Sequence, residues 1–251
     1  MRHRFAPWLL VPLLFGAAAP AGAEQSFRAD YSVTLYGLPI AKARFDSTFT
    51  DKDFRVEGSL SSAGLARLFD KTSGTTEVEG RIGRDGVSPR SFSSAYTSGK
   101  KQSRTRIRYA GNTVSSVSNT PEPRRGKNWV EVQGSHLKAA LDPISSTLIR
   151  ASDPASVCDR TVQVFDGEMR ADLKLTPGSP PQGDRVICNA RFVPVSGYRK
   201  GRRQIEFLKN ESRITITFGR LGDTGFFTPV DASIVTQIGT LRITATNIAP
   251  R

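Results

Sequence analysis

Phe27-Arg28-Ala29-Asp30-Tyr31-Ser32-Val33-Thr34-Leu35 sets apolar and polar side chains in alternation, the period of a strand that buries one face and wets the other. Tyr36-Gly37-Leu38-Pro39 then turns the chain. The alternation resumes from Ala41 to Leu60 and breaks at Thr50-Asp51-Lys52-Asp53, so this stretch reads as a hairpin of two strands. The same texture runs from Gly74 to Gly80 and from Val87 to Val117, with Gly86, Gly99, Gly111 and Asn112 at turns. Arg104, Arg106 and Arg108 alternate with Thr105, Ile107 and Tyr109, which places three guanidinium groups on one strand face.

Further along, Thr161 to Phe165, Asp166-Gly167 and Glu168 to Leu175 read as strand, two-residue turn and strand, because Asp-Gly tolerates the positive dihedrals of a tight hairpin. Arg185 to Tyr198, Gln204 to Leu208, Ser212 to Phe218 and Ala232 to Ala245 read as further strands. The spacing predicts roughly ten to fourteen strands in all. Two segments depart from the period of two. Leu65, Leu68 and Phe69 fall at helical spacing behind Ser61 and Ser62, which can cap a short helix. From Ala139 to Arg150, Leu141, Ile144, Leu148 and Ile149 form a helical stripe, and Asp142-Pro143 suits the start of a helix. Between Asn119 and Gly134, the run Thr120-Pro121-Glu122-Pro123-Arg124-Arg125-Gly126-Lys127 carries too many breakers and charges for a buried element and reads as a basic loop.

The amino terminus bears on location. Arg2, His3 and Arg4 precede an apolar run from Trp8 to Ala19, and Ala21-Gly22-Ala23 stands before Glu24, the pattern of a secretory signal peptide cleaved after Ala23. Pro7, Pro12, Gly16 and Pro20 interrupt the run, which leaves it short of the roughly 18 apolar residues of a membrane anchor. Removing 23 of the 251 residues leaves 228, residues 24–251, a length that suits one β-rich domain. The formal charge of +13 falls to +11 with the loss of Arg2 and Arg4. Cys158 and Cys188 both lie beyond the signal, and an even pair in an oxidising compartment is expected to close a disulfide. Their separation argues against a redox pair of the Cys-x-x-Cys kind.

Recognisable reactive chemistry is sparse. His136 is the one histidine after the signal, and in Gln133-Gly134-Ser135-His136-Leu137 it reads as a surface or capping residue. No zinc cluster can form from it, and no cofactor or metal is expected. Marks of a nucleophile elbow, a phosphate-binding loop or a dinucleotide turn are missing from the sequence. Asp51 with Asp53, and Glu77 with Glu79, share strand faces, an arrangement that solvated strands carry without catalytic purpose.

The positive signal is basic. Lys100, Lys101, Arg104, Arg106 and Arg108, then Arg124, Arg125 and Lys127, then Arg199, Lys200, Arg202 and Arg203 form three clusters. Guanidinium forks match phosphate and carboxylate oxygens, so anionic lipid headgroups, lipopolysaccharide phosphates or acidic glycans are the expected partners. Export and the lack of interleaved aromatics argue against nucleic acid.

Leu141-Asp142-Pro143-Ile144-Ser145-Ser146 and Cys158-Asp159-Arg160-Thr161-Val162-Gln163-Val164-Phe165-Asp166-Gly167, followed by Cys188, resemble segments of an exported bacterial family, the domain of unknown function numbered 3108. The resemblance covers most of the chain after the signal. It implies a mainly β fold, a single antiparallel, partly open or spiral β-barrel with one or two short helices, similar in architecture to periplasmic lipoprotein carriers and envelope-integrity proteins. It transfers no catalytic residue.

Together these readings lead us to expect a periplasmic, non-enzymatic protein that binds a lipid or a lipoprotein acyl chain and touches the membrane peripherally. Leu65, Phe69, Leu141, Ile144 and Leu148 are the expected apolar lining, and Arg104, Arg106, Arg108, Arg124 and Arg125 the expected holders of an anionic head. A scaffold that contacts a protein or peptidoglycan without an internal ligand is the alternative. A hydrolase built on His136, a serine and a carboxylate ranks behind both.

Overall fold

The computed structural model describes residues 24–64, 67 and 71–251. The expected signal peptide, and the expected short helix with Leu65 and Phe69, lie outside the described residues. Seven strands follow one another as a meander: β1 (Gln25–Leu35), β2 (Leu38–Phe49), β3 (Asp53–Ser62), β4 (Thr72–Gly83), β5 (Gly86–Ser98), β6 (Lys101–Ala110) and β7 (Thr113–Thr120). An irregular stretch carries the two-residue strands β8 (Trp129–Val130) and β9 (Ile149–Arg150). Then come β10 (Arg160–Phe165), β11 (Arg170–Pro177), β12 (Arg185–Ser196), the short β13 (Tyr198–Arg199), helix α1 (Arg203–Asn210), β14 (Ile214–Arg220), β15 (Phe226–Thr236) and β16 (Gly239–Pro250).

One sheet takes the order β10-β11-β12-β14-β15-β16-β1-β2-β3-β4-β5-β6-β7, with β9 added to β15, while β8 and β13 form a separate ribbon. Neighbouring strands pair antiparallel, for example Phe27 with Pro250 of β16 and with Ser47 of β2. Register shifts interrupt several pairings, as between Asp30 and Tyr31 against β16 and between Glu79 and Gly80 against β5. Such bulges add local twist, which lets a long sheet curl. The path does not close, because β7 and β10 do not pair with each other. This is the mainly β, partly open barrel that the alternation and the family resemblance led us to expect.

The inward parity of the strands fills two cores. Phe27, Phe49, Phe54, Val56, Val78, Phe92, Ile107, Leu148 and Phe226 belong to the first. Val157, Leu175, Val186, Phe192, Phe218 and Phe227 belong to the second, together with Cys158 and Cys188. Those two cysteines are joined in a disulfide.

Three expectations need correction. Residues 139–150 do not form a helix: Ser145–Thr147 is a single 3-10 turn and Ile149–Arg150 is strand β9. The Asp142 carboxylate accepts from the amides of Ile144 and Ser145, at 3.0 and 2.9 Å, and Thr147 Oγ1 donates to the Ile144 carbonyl. Side chains of this kind compete with helical hydrogen bonds. The preceding residues meet a stronger demand, since both sheet edges would otherwise be left unpaired. Lys138 bridges to Thr113 of β7, Leu141 bridges to Val164 of β10, and the Leu141 amide and carbonyl bond Gln163 and Phe165 at 2.8 Å. Residues 138–141 therefore stitch the seam of the open barrel.

Gln204 to Leu208 lies inside α1, not in a strand. Ile205 is buried in the second core while Leu208 packs against it one turn on, a spacing that five residues of sequence do not separate from a strand. Finally, Asp166-Gly167 is half of a four-residue loop, since Phe165 pairs with Arg170. Asp166 Oδ1 accepts from the Glu168 and Met169 amides and so takes over the hydrogen bonding of the turn.

Asp142 also yields a pH test. It is fully buried, with the Ser145 side chain and amide and the Ile144 amide against its carboxylate. Burial pushes the Asp142 carboxyl above its ordinary value of 3.8, against the opposing pull of Ser145 and Ile144. Burial and the Asp142 charge likewise raise the Tyr109 hydroxyl. Because the folded chain keeps the Asp142 proton to a higher pH than the unfolded chain, its contribution to stability falls as pH rises above the unfolded value. Melting curves from about pH 4 to about pH 7 should show the native chain losing stability relative to Asp142→Asn, which does not titrate. Parallel pH profiles for the two chains would remove this account.

Candidate binding surfaces

The sheet presents its apolar face inward and a charged face outward, and the five expected arginines divide between two places. Arg104, Arg106 and Arg108 are exposed on β6 while Ile107, between them, is fully buried. Across the outer face, Arg106 pairs with Ser93, Ser93 with Glu77, Glu77 with Glu57, and Glu57 with Asp46. Arg104 and Arg106 share a shallow cleft of about 410 Å³ with Arg44, Asp46, Glu57 and Glu77. Three cations there face three carboxylates, so the cleft has little net charge to offer a ligand.

Arg124 and Arg125 sit elsewhere, in a concavity of about 760 Å³ that also holds Trp129, Glu168, Arg199, Lys200 and Arg202. The second and third basic clusters of the sequence therefore converge, and the first stands apart from them. The β8–β13 ribbon brings them together by pairing Arg199 with Trp129 and Tyr198 with Val130. The Lys200 amide donates to the Asn128 carbonyl at 2.8 Å, and the Gly197 amide to the Val130 carbonyl at 2.7 Å. Gly197 (φ +75°) lets the ribbon lie directly on the β10–β11 loop, because a Cβ there would stand 1.8 Å from the Glu168 carbonyl oxygen. Burial, followed by the Asp166 charge, pushes the Glu168 carboxyl up, and Arg202 opposes the shift.

Of the expected apolar lining, Leu148 belongs to the first core and Ile144 packs against it. Leu141 is half-buried at the seam. His136 acts as a cap: its Nδ1 accepts from the Gln133 amide at 3.1 Å.

A different apolar stripe lies on the inner face of the central strands. Three cross-strand rows carry it: Leu241, Leu35 and Leu38; Ile243, Val33 and Ala41; Ala245, Tyr31, Ala43 and Leu60. Apart from exposed Leu38 these side chains are half-buried, and none belongs to either core cluster. The stripe runs toward two neighbouring hairpin ends where Tyr36, Leu38 and Ile238 are 74, 58 and 69% exposed. Tyr36 lies against Gly239, where an added Cβ would be 2.5 Å from its ring, so the two tips form one apolar cluster. Sequence reasoning missed this stripe because alternation looks the same whether the inward face is filled or left open. The one legible sign was the unusual exposure-prone trio of large apolar residues at turn positions.

A family model described as "Protein of unknown function (DUF3108)" matches residues 30–246. The chain belongs to this family. Two solved structures align with much of this DUF3108 protein at low identity. A β-barrel-like protein of the domain of unknown function DUF1849 from Brucella abortus has 9% identity and a TM-score of 0.45, over 90% of this chain and 98% of that one. The hypothetical protein CT021 from Chlamydia trachomatis has 12% identity and a TM-score of 0.33, over 88% and 86%. No curated protein matches the chain. Among the described residues of the DUF3108 chain, no helix is long and apolar enough to cross a membrane.

Proposed function

We propose that this DUF3108 protein is an exported, non-enzymatic carrier of an amphipathic envelope component, a lipid or a lipoprotein acyl chain, held along the inner stripe of the open sheet. The observation that carries this reading is the set of inward-facing apolar residues, Val33, Leu35, Leu60, Leu241 and Ile243, which stay half-buried outside both cores. Strands lie about 4.8 Å apart, so the four strands from β16 to β3 span about 14 Å of largely uncharged surface. Covering such a surface releases water at about 25 cal/mol per Å², and an acyl chain has the shape to do it. The exposed tip at Tyr36, Leu38 and Ile238 suits contact with a lipid surface from which the ligand is drawn. Export is supported by the leader pattern before Glu24, and the Cys158–Cys188 disulfide is compatible with it.

The test is to express the chain with its own leader, recover it from the periplasm and examine it by native mass spectrometry. The expected protein starts at Glu24 and carries a lipid adduct. A fluorescent fatty-acid probe should bind it, and Leu60→Glu or Ile243→Glu should weaken that binding at least about tenfold, equivalent to about 1.4 kcal/mol. Melting temperatures should change little, because both sites are half-exposed. A lipid-free protein that ignores the probe overturns the carrier reading and leaves a contact module working through its charged surface as the better one.

A further inference from the structure

We propose that the concavity between residues 124–129 and 199–202 is a binding site for a phosphate ester, free or on a lipid headgroup, recognised through at least two anionic charges. This goes beyond the carrier reading and does not depend on it, since neither segment contributes to the inner stripe.

Charge is the first support. Arg124, Arg125, Arg199, Lys200 and Arg202 meet one carboxylate in the cavity, Glu168. Arg125 has an ion pair with Glu131 at 3.4 Å, and Arg202 Nε donates to Gln204. Among the described residues, Arg124, Arg199 and Lys200 have no ion pair. Among the described residues the other ion pairs lie elsewhere, as between Arg28 and Asp46 or between Arg55 and Glu77. Five cations gathered around one carboxylate repel one another, and an outside anion seated among them relieves that repulsion.

Preorganisation is the second support. The ribbon hydrogen bonds and the close seat of Gly197 on the Glu168 carbonyl hold Asn128 to Val130 against Gly197 to Lys200 before any ligand arrives, which lowers the ordering cost of binding on that side of the hollow. The third concerns selectivity. Arginine forks pair with phosphate oxygens two at a time, and exposed single contacts are weak, so the site favours a group with several charges over a lone carboxylate. Half-buried Trp129 gives the hollow one flat apolar wall. A single tryptophan does not make the repeated stacking platform that a nucleic acid strand uses.

Trp129 also supplies the readout. Trp8 is the other tryptophan of the chain, so a Trp8→Phe chain reports this site alone by fluorescence. Titration with inorganic pyrophosphate, and separately with vesicles containing phosphatidic acid, a monoester with a second ionisable charge, against phosphatidylcholine vesicles, should give a saturable change that weakens with added salt. The double variant Arg124→Glu with Arg199→Glu should lose at least about tenfold in affinity. Lys174→Glu with Arg191→Glu, an exposed cross-strand pair carrying the same change of charge, should lose less than about threefold. Response to both probes assigns a phosphate site open to soluble esters, and response to the anionic vesicles alone assigns a headgroup site. No saturable response to either, or equal losses in the two double variants, overturns the proposal. Since pyrophosphate binding needs no occupied stripe, its outcome is separable from that of the acyl-chain experiment.

Discussion

Replacing Phe226 by alanine is expected to cost about 3–5 kcal/mol of stability, the range for truncating a fully buried phenylalanine. Phe226 has no exposed surface. Its ring lies 5.6 Å from that of Phe49, and the Arg150 guanidinium stands over it at 5.7 Å. Strand β15 meets β9 at this point, with Phe226 opposite Arg150 and Phe227 opposite Ile149. The two phenylalanines serve different cores, Phe226 the first and Phe227 the second, so this dipeptide is the joint between the halves of the molecule. An alanine at 226 leaves a void whose walls belong to separate strands of one sheet and cannot collapse far. Urea unfolding should show a lower midpoint with an unchanged slope. Phe226→Leu should recover more than half of the loss, because most of the ring volume is replaced. A loss below about 1 kcal/mol for the alanine variant would mean that the first core does not depend on this joint.

The disulfide should rank next. Cys158 and Cys188 lie 30 residues apart with their Cα atoms at 5.6 Å, and both are buried in the second core. In the chain-entropy account, a loop of this size contributes roughly 3–4 kcal/mol by restricting the unfolded state. The double variant Cys158→Ala with Cys188→Ala should lose that amount in urea unfolding. The local consequence is more specific. Cys158 precedes β10, the edge strand, and Cys188 sits in β12, one strand further in than β11. The bridge therefore pins the edge past its neighbour, and hydrogen exchange in β10 should accelerate more than exchange in β2 or β3 when it is removed. An unchanged midpoint, or uniform acceleration across both halves, would deny the bridge this role.

Much of the sheet was legible before any coordinates. The alternation of Phe27 to Leu35 placed Arg28 and Asp30 outward and Phe27 inward, and the break at Thr50 to Asp53 marked a true hairpin, where Thr50 Oγ1 accepts from the Asp53 amide at 3.0 Å. The alternation of Arg104, Arg106 and Arg108 put all three on one face, as found. The errors share a cause. Leu141, Ile144 and Leu148 have helical spacing, yet Lys138 and Leu141 bridge to β7 and β10 across a turn at Ala139, because two sheet edges needed partners. Ile205 and Leu208 belong to a helix that packs on the second core, although their immediate neighbours alternate well enough for a strand.

Sequence by itself determined which side of each long strand is apolar, which pair of cysteines was available for bonding, and that three basic clusters exist. Those are local properties: the pleat of the backbone alternates side chains every residue whatever the strand lies beside. Only the tertiary structure decided that the sheet stays open, that residues 138–141 sew its seam, and that Arg124 and Arg125 join Arg199, Lys200 and Arg202 while Arg104 and Arg106 face carboxylates. Each of those outcomes depends on accumulated register across many strands and on the need of edge amides and carbonyls for partners, and neither quantity can be read from any one segment.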